Sequence, residues 1–287
     1  MNYRITILLT IALISVSTSP IVAKMLEEVN AIAISFWRMF IGSGFLWIYS
    51  VFSNQGRIKN KSNYFITYLA GILLGIHFAL FFGSIKLTMV ANATFLGTLA
   101  PLFTLILEFL IYKRYFTKKV IMGLVLALLG AIIIFSNDFD LSAQYTIGNL
   151  LAIGCSLCLA ISFLIAEKVR NIEGTIVYTR TLYLSASVTL FFIALITNSP
   201  LMNFSLYDYS LLLFLGIVPT IIGHNAIYYS VKYVSPTVVA AFPLGEPVLA
   251  TIFAYFIFGE IIGLEIYIGG FFTLLGLIII TIKKNEK

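Results

Sequence analysis

The chain has 287 residues, of which 60% are hydrophobic and 10% are charged. Ordinary soluble domains carry about 25% charged residues, so this composition excludes a water-soluble protein. The formal net charge is +6. The basic residues behind it lie mostly on one side of the predicted membrane, so they indicate orientation rather than binding of nucleic acid.

The sequence contains ten apolar stretches, each close to the ~20 residues that a helix needs to cross a bilayer. We call them spans 1 to 10; they lie near residues 5 to 23, 30 to 52, 65 to 85, 90 to 112, 120 to 136, 146 to 166, 175 to 197, 209 to 231, 236 to 258 and 264 to 282. Backbone groups must pair within each segment in lipid, so we predict helices rather than strands. The connections are short and leave no room for a soluble domain.

Span 1 also resembles a secretory signal peptide, because Arg4 precedes an apolar core and residues 21 to 23 end in a small side chain. Its removal would leave nine helices and two unequal halves. We therefore expect span 1 to stay in the folded protein.

The basic residues indicate the orientation of the chain. With a cytoplasmic N-terminus, the inner side collects Arg4, Arg57, Lys59, Lys61, Lys113, Arg114, Lys118, Lys119, Lys168, Arg170, Lys232, Lys283, Lys284 and Lys287. The outer loops keep Lys24 and Lys86, together with the acidic Glu27, Glu28, Asp138, Asp140, Asp208, Glu260 and Glu265. By the positive-inside rule, both termini are expected to be cytoplasmic in a multi-pass protein of the cell membrane.

The second half of the sequence repeats the first. Residues 89 to 134 correspond without a gap to residues 235 to 280, so that Pro101 falls on Pro247 at an offset of 146. Each half has five spans, an odd number, so the second half starts on the opposite side of the membrane and the repeats are predicted to be inverted. Inverted repeats place a substrate site near the midplane, and rocking of one half against the other gives alternating access.

We place the boundary between the repeats at a polar segment. The first five-helix repeat covers residues 1 to 138, the linker residues 139 to 145, and the second repeat residues 146 to 287. This division follows from the turn-forming and charged residues between spans 5 and 6.

Ionisable side chains inside spans each cost roughly 2.5 to 3.5 kcal/mol on insertion scales for Arg or Asp, so each requires a reason. They are Arg38, His77, Glu108, Arg180, His224 and Glu246. Glu246 lies halfway along span 9 between Pro243 and Pro247, which kink the helix and leave carbonyls unpaired. We interpret Glu246 as a proton or cation site; the alternative is a buried ion pair with Arg38 or a histidine.

His224, with Asn225 beside it and Tyr228 one turn later, offers donors and acceptors for a small polar or zwitterionic substrate. For His77 a substrate-facing role and a packing role are equally supported. Neither histidine has the partners of a metal site, so we expect no metal.

For the remaining polar groups, structural roles compete with functional ones. Arg38 is expected to pair or to face substrate, whereas Arg180 lies near the inner surface and is expected to anchor there. Glu108 is expected to pair with the cluster at Lys113 and Arg114. Cys155 and Cys158 are interpreted as small packing residues.

Several motifs together resemble the EamA family of the drug/metabolite transporter superfamily, over essentially the whole chain. They are Trp37-Arg38, His77-Phe78, Val90-Ala91-Asn92-Ala93 with Pro101, Gly223-His224-Asn225, Lys232 to Val239, and Leu244-Gly245-Glu246-Pro247. Ser17-Thr18-Ser19-Pro20 stands where many relatives carry a Trp-Gly pair.

The resemblance implies a secondary transporter of a small organic metabolite, with amino acids and related compounds as the substrate class. Protonation of Glu246 or His224 is the expected coupling step, and a passive facilitator or channel is the alternative. A membrane-embedded enzyme that modifies lipids is the other alternative, but the sequence lacks a metal motif and a Gly-x-Ser-x-Gly elbow, so we expect no enzyme. We also expect no cofactor, and the sequence has no phosphate-binding loop. The expected partners are the substrate and the lipid bilayer; a homo-oligomer is left open, since ten helices suffice to enclose a cavity.

Overall fold

The structure is a computed structural model that describes residues 2 to 136 and 142 to 282. Within those residues it contains ten helical spans long and apolar enough to cross a membrane, and no strand. The predicted all-helical membrane fold is therefore confirmed for the described part of the chain. In order, the spans are Tyr3–Val16 with Ser19–Met25, Ala31–Phe52, Lys61–Ile85, Val90–Gly97 with Ala100–Tyr112, Lys118–Phe135, Thr146–Arg170, Thr175–Ile196, Leu206–Leu215 with Gly216–His224 and Asn225–Ser230, Pro236–Ala241 with Phe242–Gly245 and Glu246–Phe258, and Leu264–Thr281.

Ten spans return the chain to the side of the membrane on which it begins. We call that side, which holds the start of span 1 and the end of span 10, the terminal side. Its identity as the cytoplasmic side and the inversion of the repeats stay predictions. Some residues used for them lie outside the described residues, namely Asp138, Asp140, Lys283, Lys284, Lys287 and residues 139 to 141 of the linker.

Six spans begin with a polar residue that caps the helix. The side chain accepts a hydrogen bond from an amide two or three residues later at Asn2, Asn30, Asn60, Thr117, Ser205 and Ser235. At Ser205, the Asp208 carboxylate also accepts from the capping residue, which completes a capping box. The first amides of a helix have no partner within it, so these caps fix the span boundaries locally.

Spans 4 and 9 are interrupted near their middles. Span 4 breaks at Thr98 and Leu99, immediately before Pro101. Span 9 passes through a 3-10 turn at Phe242–Gly245, and Pro247 is the second residue of the helix that follows. Because proline has no N–H to donate and its ring crowds the preceding turn, an α-helix does not run smoothly through these points.

Span 8 stays helical, but its middle, Gly216–His224, is wound as a π-helix. Pro219 cannot donate a hydrogen bond to the main-chain oxygen of Leu215, and its ring crowds that oxygen. The Thr220 hydroxyl donates to this oxygen instead, at 2.8 Å. One proline therefore explains the wider turns, a feature that is frequent at functional sites in helices.

The π-helix also accounts for a difference in where the two histidines lie along their spans. His77 lies 16 residues after the first residue of span 3, Lys61, whereas His224 lies 18 residues after the first residue of span 8, Leu206. A π turn holds more residues than an α turn, so the two additional residues before His224 need not lengthen this part of span 8. His224 follows His77 by 147 residues, one more than the offset of 146 between the repeats, and the π-helix accommodates this extra residue.

Spans 5 and 10 cross with their backbones in contact. A Cβ built on Gly123 would lie 2.7 Å from the main-chain oxygen of Gly276, and one on Gly276 would lie 2.4 Å from that of Gly123. Gly130 and Gly269 approach each other in the same reciprocal way, at 2.4 and 2.5 Å. The offset of 146 maps one contact onto the other, as two halves related by a two-fold axis require. Such close approach stabilises helix pairs in lipid.

Spans 2 and 7 are connected at both ends by contacts between loops, which we call the loop ties. On the terminal side, the Glu173 carboxylate accepts hydrogen bonds from the main-chain N–H groups of Lys59 at 3.0 Å and Asn60 at 3.4 Å. On the opposite side, the Asn30 side chain donates to the main-chain oxygen of Pro200 at 3.0 Å. Each tie joins a loop of the first half to a loop of the second.

Candidate functional site

Arg38 lies at the centre of a polar cluster inside the bundle. It is 7% exposed, and its Nε has no hydrogen-bond partner among the described residues. Its guanidinium carbon lies 5.3 Å from the centre of the Phe78 ring. Arg38 is also close enough to interact electrostatically with His77, His224 and Glu246. These four ionisable residues, from spans 2, 3, 8 and 9, form what we call the central cluster.

His77 is held by span 6. Its Nδ1 lies 3.0 Å from the main-chain oxygen of Cys155 and 3.1 Å from the sulfur of the same residue. A carbonyl oxygen only accepts, so Nδ1 carries the proton and Nε2 of the neutral ring is an acceptor. The buried Cys155, interpreted from sequence as a packing residue, thus also orients His77.

His224 ends the π-helix, and its neighbour Asn225 begins the next helix. The Nδ1 of His224 is buried and has no hydrogen-bond partner in the part of the chain that the structure describes. Asn225, by contrast, accepts a hydrogen bond from the hydroxyl of the buried Tyr183 at 3.3 Å. His224 therefore keeps a nitrogen for a ligand, whereas Asn225 is engaged with span 7.

Tyr228 lies in a buried aromatic group beside the cluster. Its ring centre is 5.7 Å from that of Phe163, 5.6 Å from that of Tyr178 and 6.3 Å from that of Tyr183. All four side chains are almost fully buried. The structure thus places Tyr228 in the wall that supports the cluster.

Glu246 is the first residue of the helix that follows the turn in span 9, and its side chain is only partly buried. No ion pair within 4.0 Å joins it to another described residue. Arg38 nevertheless interacts with it electrostatically. The charged atoms of Arg38 and Glu246 are therefore more than 4.0 Å apart. The sequence alternative of a closed ion pair with Arg38 does not occur in this conformation.

The cluster is closed from the terminal side. There, Ala100–Tyr112 of span 4 packs against Pro236–Ala241 of span 9. No comparable packing joins the other halves of these two spans, Val90–Gly97 and Glu246–Phe258, within the described residues. Spans 4 and 9 therefore pack together on the terminal side of the cluster and not on the opposite side.

Two of the ionisable residues predicted from sequence lie outside the central cluster. Arg180 donates to the main-chain oxygen of Gly56 at 2.6 Å and stacks on Trp47, with 4.2 Å from its guanidinium carbon to the ring centre. It thus holds a terminal-side loop, rather than reaching into the lipid interface. Glu108 pairs with Arg114, which confirms that expectation.

Surface grooves do not coincide with the cluster. One of about 320 Å³ is lined by Arg114, Glu167 and residues 231 to 235, and another of about 330 Å³ by apolar residues between spans 4 and 5. Both lie on the terminal side, away from Arg38. The candidate site is the central cluster, where four ionisable residues come together and where Arg38 and His224 each have a buried nitrogen without a partner among the described residues. Such groups are costly in a membrane without a ligand or a role.

Some residues of the site gave no signal in the sequence. Tyr183 is one of many tyrosines, and only the fold brings it to Arg38 and Asn225. Thr237, which contacts Glu108 across spans 4 and 9, is equally inconspicuous. Pro219 did offer a signal, because a proline inside a span predicts a local distortion of the helix.

Comparison with known proteins identifies the family. The model of the EamA-like transporter family matches residues 3–136 and again residues 146–282. The chain is 25% identical over 274 residues to the uncharacterized transporter YdfC of Bacillus subtilis, with 94% of this chain and 88% of the relative covered. An uncharacterized transporter of Archaeoglobus fulgidus is 24% identical over 298 residues, with both chains covered completely.

A solved crystal structure shares the fold. It superimposes with a TM-score of 0.85 at 16% sequence identity, and covers 98% of this chain and 97% of the other. At this identity, the similarity concerns the arrangement of the helices alone.

Proposed function

Because the chain belongs to the EamA-like transporter family and is a multi-pass membrane transporter, we propose that it carries an amino acid or a related small metabolite across the cell membrane. Transport is secondary and proceeds by alternating access. The observation that supports this substrate class is that Arg38 and Glu246 interact electrostatically but form no ion pair; we call the space between their charged groups the gap.

A zwitterion fits the charges of this gap. The guanidinium of Arg38 has a free Nε, and an arginine fork binds a carboxylate through two parallel hydrogen bonds. Glu246, on the opposite side, offers a carboxylate for an ammonium group. The Nδ1 of His224 has no partner among the described residues and supplies one more polar contact. A substrate with both charges therefore satisfies groups that are otherwise left unpaired in the membrane.

Coupling to protons is the second part of the proposal. Glu246 and His224 both lose or gain charge by protonation, and both border the gap. A proton on Glu246 would compete with the ammonium group of the substrate for the same carboxylate. Exchange of one for the other during each cycle couples substrate movement to the proton gradient.

The test is transport by the purified protein in proteoliposomes supplied with a mixture of amino acids. We expect saturable movement of at least one zwitterion, which Arg38→Gln abolishes while the protein stays folded. Movement of none of the zwitterions would contradict the substrate class.

A passive facilitator is the alternative function, and kinetics distinguish it. A carrier that alternates between two sides shows counterflow: unlabelled substrate inside accelerates entry of labelled substrate. A channel shows no such acceleration. Closure of the cluster from the terminal side supports the carrier, because a channel would open to both sides at once.

A further inference from the structure

A buried carboxylate joins spans 4 and 9 where they close the site. Glu108 is fully buried, and its Oε2 accepts a hydrogen bond from the main-chain N–H of Thr237 at 2.9 Å and another from the Thr237 hydroxyl. Thr237 is the second residue of the helix Pro236–Ala241, so this N–H has no partner within its own helix. The contact therefore satisfies groups on both spans.

The other oxygen of Glu108 binds Arg114, which also pairs with Glu167 of span 6 at 2.9 Å. Partial burial lowers the pKa of Arg114, but the carboxylates of Glu167 and Glu108 more than offset this effect and hold the pKa above its usual range. Arg114 thus stays charged at physiological pH. One network of charge-assisted hydrogen bonds connects spans 4, 6 and 9 on the terminal side.

This network is present on one side only. At the offset of 146, Glu108 corresponds to Ala254 of span 9, which cannot accept a hydrogen bond. The equivalent helix halves, Val90–Gly97 and Glu246–Phe258, do not pack in a comparable way among the described residues. The duplicated halves therefore meet through a buried carboxylate on the terminal side, whereas on the opposite side they are joined by the exposed ion pair between Lys24 and Glu260.

We propose that Glu108 is the gate residue of the transport cycle, whose carboxylate must release Thr237 before the central cluster opens to the terminal side. Arg114 and Glu167 position that carboxylate. This assignment extends the alternating access proposed above from the substrate site to its closure. Charge-assisted hydrogen bonds of this kind are stronger than neutral ones, so their loss shifts the balance of conformations toward the open gate.

The experiment measures accessibility from the terminal side. Thr104, one turn before Glu108 on the same helix face, is fully buried and serves as the reporter after Thr104→Cys, with Cys155 and Cys158 replaced by serine. Reaction with a membrane-impermeant maleimide is followed in vesicles that expose the terminal side. We expect Glu108→Gln to raise the labelling rate roughly tenfold or more, since it removes hydrogen bonds to a charged group. An unchanged rate would overturn the assignment.

A second variant and a control distinguish loss of the gate contact from misfolding. Thr237→Val removes the hydroxyl donor but keeps the N–H and the carboxylate, so we expect a smaller rise in the same direction. Glu28→Gln, at an exposed carboxylate in the loop between spans 1 and 2 on the opposite side, is the control, and its labelling rate should stay that of the parent. A rise in the control as large as in Glu108→Gln would show general loosening and would contradict the gate.

The readout needs no substrate, so the two proposals fail separately. Faster labelling without transport of any zwitterion would keep the gate and reject the substrate class. Zwitterion transport with unchanged labelling in Glu108→Gln would keep the substrate class and reject the gate.

Discussion

An arginine buried inside a membrane bundle is costly, and a nitrogen without a hydrogen bond adds to the cost. Both Arg38 and Arg180 are buried and have an Nε without a partner among the described residues, but Arg180 also donates to the main-chain oxygen of Gly56 and stacks on Trp47. The contrast separates two arginines that look alike in the sequence. Arg180 supports the fold, while Arg38 is available to bind a ligand.

Replacement of Arg38 by lysine tests this role. Lysine keeps the positive charge but loses the planar fork that binds a carboxylate through two hydrogen bonds. For Arg38→Lys we expect KM to rise about tenfold with little change in thermal stability. Arg180→Lys is the matched control, because it lies outside the cluster, and its KM should equal that of the parent. Equal effects of the two substitutions would reject a substrate-binding role for Arg38.

Replacement of Glu246 by glutamine tests proton coupling. The amide keeps the shape of the side chain but neither takes up nor releases a proton, so transport should lose its dependence on pH. His77 and His224, the other two titratable residues of the central cluster, remain in this variant. The measurement is initial transport rate across a range of pH at constant substrate. A pH profile like that of the parent would return Glu246 to a structural role.

At the scale of elements, the crossing of spans 5 and 10 leaves no space for a side chain. A Cβ at Gly130 would lie 2.4 Å from the main-chain oxygen of Gly269, whereas one at Gly44 has nothing within 4 Å. We expect Gly130→Ala to destabilise the protein by about 1 to 3 kcal/mol, since backbones must move apart. Gly44→Ala should be neutral or slightly stabilising. Thermal unfolding in detergent compares the two, and equal midpoints would contradict the close crossing.

The π-helix of span 8 offers a second test. Pro219→Ala restores an N–H that can donate to the main-chain oxygen of Leu215, which favours a regular α-helix. Each residue of an α-helix turns by about 100°, so a change of register would move His224 away from Arg38. We expect weaker substrate binding together with unchanged or higher thermal stability. Unaltered KM in this variant would show that the π-helix does not position His224.

Much of the fold can be predicted from the sequence, because a segment that crosses lipid must be apolar and helical. Ten apolar stretches and the polar caps at Asn30, Asn60 and Ser205 mark the spans locally. The breaks in spans 4 and 9 follow from their prolines. The site was only partly readable, because the pairing of Tyr183 with Asn225 and of Glu108 with Thr237 depends on helices that are far apart in the chain. Single polar residues in helices carry no sign of their partners.

At the scale of the whole molecule, the loop ties restrict how the cycle can proceed. Spans 2 and 7 are joined on the terminal side through Glu173 and on the other side through Asn30. Rigid rocking of one half against the other, the motion expected from the repeats, would have to break both. Movement confined to spans 4 and 9 and their neighbours leaves both intact.

Spin labels measure which motion occurs. Labels at the exposed positions Arg57 and Ile172 report on the terminal-side tie, and labels at Tyr115 and Lys232 flank the gate. In Glu108→Gln we expect the distance between 115 and 232 to lengthen and the distance between 57 and 172 to stay constant. Lengthening of both distances would favour rocking of complete halves.

The loop ties also define a frame of reference for the protein. Spans 2 and 7 carry one wall of the site, including Arg38 and Tyr183, and would stay fixed relative to each other at both membrane surfaces if the ties hold throughout the cycle. The anion-binding group of the site then belongs to the stationary part, while Glu246 belongs to a mobile one. The substrate would remain bound to Arg38 throughout the cycle, and access would change sides through movement of the opposite wall, which carries Glu246.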